Sequence, residues 1–255
     1  MSTYGLWLST AGMQLNDHRQ NVLANNMANA QTHGYKHDYA VVAQRVLASR
    51  GDAAGMPFAH PVFDGMSGGL SVKQSLSDFS QGPLEQTGGS LDVAIEGGGF
   101  FTVQAGDQVR YTRDGSFARN AAGEIVLAAD GGRWRVLSED GDPLVLESGK
   151  GAPEVSGDGT IRQDGAAVGK VGLVQPADPG QFRKVGSNMF EAGDGKVEPA
   201  NGVLHGQALE GSNFDVMAGL AQMIEASRAY QFNATMVQFQ DNLTGLAISR
   251  VGRLT

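Results

Sequence analysis

His33 and His37 stand four residues apart, the spacing at which two imidazoles on one helix face can hold a metal ion. Gly34 lies between them at an expected helix end, and Asp38 is the one further donor next door. Two histidines alone make an incomplete site, so a solvated or packed pair is the expectation. Gly65-Met66-Ser67-Gly68-Gly69 fits the Gly-x-Ser-x-Gly nucleophile turn by letter, but no strand is expected before it and no helix after it. The five histidines, His18, His33, His37, His60 and His205, are too scattered to give that serine a base. Asp140-Gly141-Asp142 and Asp158-Gly159 offer carboxylates to calcium without the twelve-residue loop and terminal bidentate Glu, so they read as turns. Gly97-Gly98-Gly99-Phe100 resembles a phosphate cradle but lacks the following helix and lysine; a hairpin turn is expected there. With no cysteine, the chain has no disulfide, thiolate metal site or thiol nucleophile. No catalytic residue, metal ligand or cofactor is assigned.

The elements that would have to position any site are spread unevenly. The chain has 255 residues and a formal charge of −8, a poor balance for tracking a phosphate backbone, so no nucleic-acid partner is expected. No run approaches the roughly 20 apolar residues of a membrane span, so no membrane insertion is expected. Met1-Ser2-Thr3-Tyr4-Gly5-Leu6-Trp7-Leu8 has neither basic leader nor cleavage site, which predicts that no secretory signal is cleaved. Residues 1–75 and 206–255 are nearly neutral, whereas 76–205 carry the whole net charge of −8 and 24 of the 37 glycines.

Tyr4, Leu8, Ala11, Leu15, His18 and Val22 recur at steps of four and three, predicting a helix over about 4–30 that ends in the polar run Asn25–Gly34. A longer helix is predicted after Ser212 or Asn213, either of which can cap it, with Asp215 at the positive end of the dipole. Its stripe is Val216, Leu220, Met223, Ser227 and Tyr230, continued after a shift of phase by Phe232, Met236, Phe239, Leu243 and Leu246. Leu91–Glu96 alternates as a half-buried strand, and Phe100–Val103 is the expected return strand of a hairpin. Short segments at 109–111, 116–118, 124–127, 133–137, 144–146, 160–162 and 171–174, punctuated by Asp-Gly and Gly-Asp pairs, read as further antiparallel strands. Residues 50–75, with Pro57, Pro61 and five glycines, read as an extended connector.

The predicted fold class is therefore α+β: long terminal helices packed as a coiled-coil core (1–45 with 206–255), a connector (46–75), and an inserted antiparallel β-rich domain, sandwich- or barrel-like (76–205). The helical stripes allow two readings, a hairpin that closes on itself and a self-associating seam that builds a filament if the rotation between subunits does not close.

Four segments taken in order resemble the rod–hook family of bacterial flagellar axial proteins. Ala24-Asn25-Asn26-Met27-Ala28-Asn29-Ala30-Gln31-Thr32-His33-Gly34-Tyr35-Lys36 is similar to its A-N-N-[LI]-A-N-x-x-T-x-G-[FY]-K motif, with Met27 for Leu or Ile. Leu91-Asp92-Val93-Ala94-Ile95-Glu96-Gly97-Gly98-Gly99-Phe100-Phe101 and Tyr111-Thr112-Arg113-Asp114-Gly115-Ser116-Phe117 match two internal motifs. Leu209-Glu210-Gly211-Ser212-Asn213-Phe214 and Met223–Tyr230 match the C-terminal pattern, with Phe214 where Val is usual. The resemblance implies a non-enzymatic basal-body rod subunit. Its implied partners are other copies of itself, neighbouring rod and hook axial proteins, and the flagellum-specific type III export apparatus.

The same resemblance implies assembly roles for Asn25, Asn26 and Asn29 at the end of the first helix, Gly34 at a sharp exit, Tyr35 as an aromatic anchor, and Arg228 and Tyr230 at the helical core. Phe63–Val72 matches the connector segment of distal rod proteins weakly, which favours the proximal rod protein over the distal one. A secreted β-rich binding protein with dimerising helices is the more remote alternative.

Overall fold

The computed structural model describes residues 3–44, 70–193 and 195–251. The described chain is α+β and divides into two compact units. One comprises the described residues within 1–27, 38–76 and 215–255; the other comprises those within 28–37 and 77–214.

The first unit is built on two helices, α1 (Thr3–Ala28) and α2 (Val216–Val251). At 1.5 Å per residue, α2 is about 54 Å long. The helices pack antiparallel, and the residues at closest approach are small or carry amides. A Cβ added to Gly5 would lie 2.8 Å from Gln240 Nε2, and one added to Gly12 would lie 2.9 Å from Asn233 Nδ2. Both pairs are seven residues apart along their helices. Continuing that step along α2 gives Ala226 and Gly219, both buried. Ser9, Asn16 and Asn26 are the buried polar residues of α1. Asn16 and Asn233 each return their side-chain N–H to the carbonyl four residues earlier, Gly12 and Ala229. Glycine lets the two backbones approach, and the Asn16 and Asn233 amides find partners on their own helices.

Asp215 caps α2: its Oδ1 accepts from the backbone N–H groups of Met217 (2.8 Å) and Ala218 (3.1 Å). Neither Ser212 nor Asn213, the expected caps, does so, because the Asn213 amide is taken up by Asp78 O, Ser80 O and the His37 N–H. The helix α1 stops at Ala28, two residues before the expected end. Most of the expected connector lies outside the described residues. Its last part is regular, since Leu70–Val72 pairs antiparallel with Val42–Gln44.

The second unit is β-rich, and all its strand pairings are antiparallel. Strand Phe100–Ala105 is central: it pairs with Gln108–Thr112 along one edge, and with Leu173–Pro176 and Arg135–Val136 in succession along the other. Val93, Ile95, Phe101, Val103, Ile125, Leu127 and Val136 form the centre of the main core. Phe100, Phe182 and Phe190 form a second, aromatic cluster.

The expected hairpin over Leu91–Val103 is absent among the described residues. Val93–Glu96 pairs with Val203–Gly206, 107–113 positions later, and Phe100–Ala105 belongs to a different sheet. The reason is burial on both faces: Val93, Ala94 and Ile95 are all sealed, so the strand needs a partner that also closes the core. Gly97 and Gly99, at φ 96° and 126°, carry the chain from one sheet to the other. Asp164-Gly165 does make the expected two-residue turn, at φ 51° and 79°, between Thr160–Gln163 and Ala166–Lys170. Asp114-Gly115 does not, because Gln108–Thr112 and Phe117–Arg119 are not neighbours in the sheet. The expected strand at 144–146 is reduced to single bridges at Pro143 and Val145, with Leu144 and Leu146 filling the core.

Candidate functional site

The residues singled out for metal, nucleophilic and phosphate chemistry do not converge. His33 and His37 lie past the end of α1, so the four-residue spacing no longer puts them on one helix face. The His33 carbonyl accepts from Asn188 Nδ2, and His37 Nδ1 lies 3.0 Å from Asn213 Oδ1. Asp158 accepts from the N–H and hydroxyl of Thr160, and the Asp142 N–H donates to Ser138 Oγ, both of them turn contacts. Ser67 and His60 lie outside the described residues. Among the described residues no three His, Cys, Asp or Glu side chains gather around a possible metal position.

What converges instead is a buried ionic centre in the β-rich unit, its three charged side chains drawn from three of the four sequence motifs and the fourth supplying Gly97 O and the Phe100 ring. Lys36 and Glu210 are fully buried, and Arg113 is 3% exposed. Lys36 Nζ lies 2.6 Å from Glu210 Oε1 and donates also to Ser80 O (2.6 Å). Arg113 Nη1 donates to Glu210 Oε2 at 3.1 Å, and Nη2 to Gly97 O at 2.7 Å. The Gly82 N–H donates to Glu210 Oε1 at 2.8 Å, while the Glu210 carbonyl accepts from the Gly34 N–H at 2.7 Å. Arg113 Cζ sits 5.2 Å from the Phe100 ring centre, on the aromatic cluster. Glu210 accepts three donors on its two carboxylate oxygens and is sealed from water, so the arrangement holds chain segments together.

Burial lowers Lys36 from its ordinary 10.5, with Glu210 opposing; burial likewise lowers Arg113. In the window below 10.5 the unfolded chain therefore holds more protons at Lys36 than the folded one, and this residue's contribution to stability rises with pH. Denaturant unfolding of the native chain and of Lys36→Met across the alkaline range checks this. The difference in unfolding free energy, native minus variant, is expected to increase as pH approaches 10.5; a decrease would count against it.

Gly34 and Tyr35 are buried in the β-rich unit beside this centre. Lys184 clamps the same segment, donating from Nζ to Lys36 O (2.7 Å) and lying 4.1 Å from the Tyr35 ring centre. Asn26 is 1% exposed, and its amide makes a reciprocal pair with the Asp38 backbone, at 2.7 Å and 2.9 Å. Asn29 Oδ1 accepts from the Thr32 hydroxyl, and Asn25 is exposed. Sequence reasoning placed Lys36, Arg113 and Glu210 inside motifs but assigned none of them a site. The available signal was a Lys, an Arg and a Glu that each fall within a family motif.

The helical stripes are distributed differently. Leu15 is buried; Ala11, Val22, Met223, Tyr230, Met236 and Leu243 are half-buried. Leu8, Val216, Leu220, Phe232, Phe239 and Leu246 are exposed, with Phe232 at 67%, Phe239 at 56% and Leu246 at 58%. Arg228, expected to be partly buried, is exposed. On α2 the exposed row 232, 239, 246 lies one residue before the row of small and amide residues that meets α1, a rotation of about 100° around the helix. The contact between α1 and α2 therefore leaves these large apolar side chains uncovered.

Comparison with known proteins gives three family matches in chain order. A family described as "Flagella basal body rod protein" matches residues 9–36, "Flagellar hook protein FlgE/F/G D1 domain" matches 94–165, and "Flagellar basal body rod FlgEFG protein C-terminal" matches 205–250. Among curated relatives, the flagellar basal-body rod protein FlgF of Caulobacter vibrioides is 33% identical over 91% of both chains. The rod protein FlgG of Bacillus subtilis is 28% identical over 93% of this chain and 95% of its own. That of Buchnera aphidicola subsp. Schizaphis graminum is 28% identical over 93% and 96%. Matches at both ends and through the β-rich middle, with one relative a third identical almost throughout, establish that the chain belongs to the flagellar basal-body rod protein family.

Proposed function

We propose that this chain is a rod subunit that polymerises through α1 and α2, with the exposed apolar rows of the helices forming coiled-coil seams against copies of itself and neighbouring axial proteins. The observation that carries this reading is the division of labour on α2. Small and amide residues face α1, while Phe232, Phe239 and Leu246 stay exposed at seven-residue spacing. Each stands to gain about 1.5–3 kcal/mol on full burial, and a stripe repeating every seven residues is the pattern that a neighbouring helix covers. The acidic, glycine-punctuated β-rich unit would form the outer, sandwich- or barrel-like part. Within the family we assign the proximal rod position, on the weak match of Phe63–Val72 to the distal-rod segment. Family membership also supports export through the flagellar type III apparatus, and a structural rather than enzymatic role.

The chain contains no cysteine, so Phe232→Cys introduces a single thiol. In the free subunit this thiol should react with a maleimide at the rate of an exposed cysteine, and in isolated rods at least about tenfold more slowly. Equal labelling in both would refute helical assembly through this row.

A further inference from the structure

The buried ionic centre joins segments that are far apart in the chain. Lys36 lies in the stretch 28–37 that follows α1, and Glu210 ends the strand Ala208–Glu210 shortly before α2; 174 positions separate them. Arg113 follows the strand Gln108–Thr112, and Gly82 lies just before Leu84–Gln86, the partner of Ala208–Glu210. Two cations share one carboxylate, and all three side chains are sealed from water. The other acids near this group do not replace Glu210. Asp78 lies close enough to act on Lys36 through space, but its side chain is 39% exposed and its carboxylate is held by the Ser80 N–H. Asp114 is buried next to Arg113 in sequence, but its Oδ1 is occupied by the N–H and hydroxyl of Ser116.

Neither cation can be buried without Glu210, because an uncompensated charge in a sealed interior is strongly disfavoured. The N-terminal crossing therefore has no stable docked state until the strand near residue 210 is in place. Backbone N–H groups tie the same pieces together: Gly34 N–H to Glu210 O and the Asn213 backbone N–H to Tyr35 O, and, onto side chains, His37 N–H to Asn213 Oδ1 and Gly82 N–H to Glu210 Oε1. We propose that Glu210 is the keystone of a charge latch through which the chain crossing after α1 and the one before α2 dock on the β-rich unit, and release from it, as one cooperative element. The latch would couple the two crossings of the β-rich unit, so that neither is fixed until both are.

Amide hydrogen exchange on the full-length native chain tests this directly. The amides of Gly34, His37, Gly82 and Asn213 are expected to exchange through one shared opening, faster than those of the central strand Phe100–Ala105. Four unrelated rates would overturn the proposal. Glu210→Gln, which keeps the side-chain shape and removes the charge, should accelerate all four together by roughly a hundredfold or more, and the central-strand amides by no more than about threefold. Uniform acceleration across the sheet, or none at the crossings, would equally overturn it. Lys36→Met leaves the Arg113–Glu210 pair intact and serves if Glu210→Gln does not fold; in it Gly34 and His37 should still lose protection, and retained protection there would refute the latch.

Discussion

Phe239→Asp is expected to leave the subunit folded and to prevent it from joining the rod. Phe239 is 56% exposed on α2, and a substitution at such a position usually changes monomer stability by no more than about 0.5 kcal/mol. In an apolar seam between subunits the same carboxylate would be buried without a counter-charge, at a cost on the order of 3–5 kcal/mol for each contact. Every 1.4 kcal/mol is tenfold in affinity, so each contact weakens by more than about a hundredfold. Leu220→Asp, at 44% exposure on an earlier turn of the same helix, should behave alike. Circular dichroism and thermal unfolding of the purified variants would read the first half of this expectation, and rod assembly and motility in cells the second. Normal rods from Phe239→Asp would mean that this row is not the seam. A variant that unfolds would mean that the row is core.

Gly34→Ala should strongly destabilise the β-rich unit. Gly34 adopts φ 65°, where an L-residue costs about 1–2 kcal/mol. An added Cβ would also fall 2.3 Å from the Arg113 carbonyl carbon and 2.5 Å from the Asp114 nitrogen, and backbone atoms cannot swing aside as a flexible side chain can. Together these should lower stability by about 3 kcal/mol or more, or roughly 6–12 °C in Tm for a unit of this size. Denaturant and thermal unfolding would measure it, and a loss below about 0.5 kcal/mol would show that the turn can rearrange.

The two expectations differ in how they were reached. The apolar rows of α1 and α2 follow from spacing alone, because a helix repeats its face every three to four residues whatever surrounds it. Spacing could not say which row meets the other helix. The contact uses Gly5, Gly12, Ala226, Asn233 and Gln240, a pattern of small and amide residues that a search for apolar stripes passes over. The cap of α2 shows the same limit. Ser212, Asn213 and Asp215 are all competent N-caps by residue type, and Asp215 takes the role because Asn213 is engaged with Asp78, Ser80 and His37.

Residue order alone determined that the chain has helical ends and a glycine-rich β middle, where several turns fall, and that its motifs are those of flagellar rod proteins. The helical ends, the β middle and its turns depend on local periodicity, on the φ freedom of glycine and on composition, all of which act within a few residues, whereas the motifs are a resemblance to the family's residue order. Only the tertiary structure decided that Val93–Glu96 pairs with Val203–Gly206 and not with its neighbour Phe100–Ala105, and that Lys36, Arg113 and Glu210 meet out of water. Burial is a property of the whole chain. Whether a lysine is solvated or sealed beside a carboxylate depends on residues 174 positions away, and no local rule carries information over that distance.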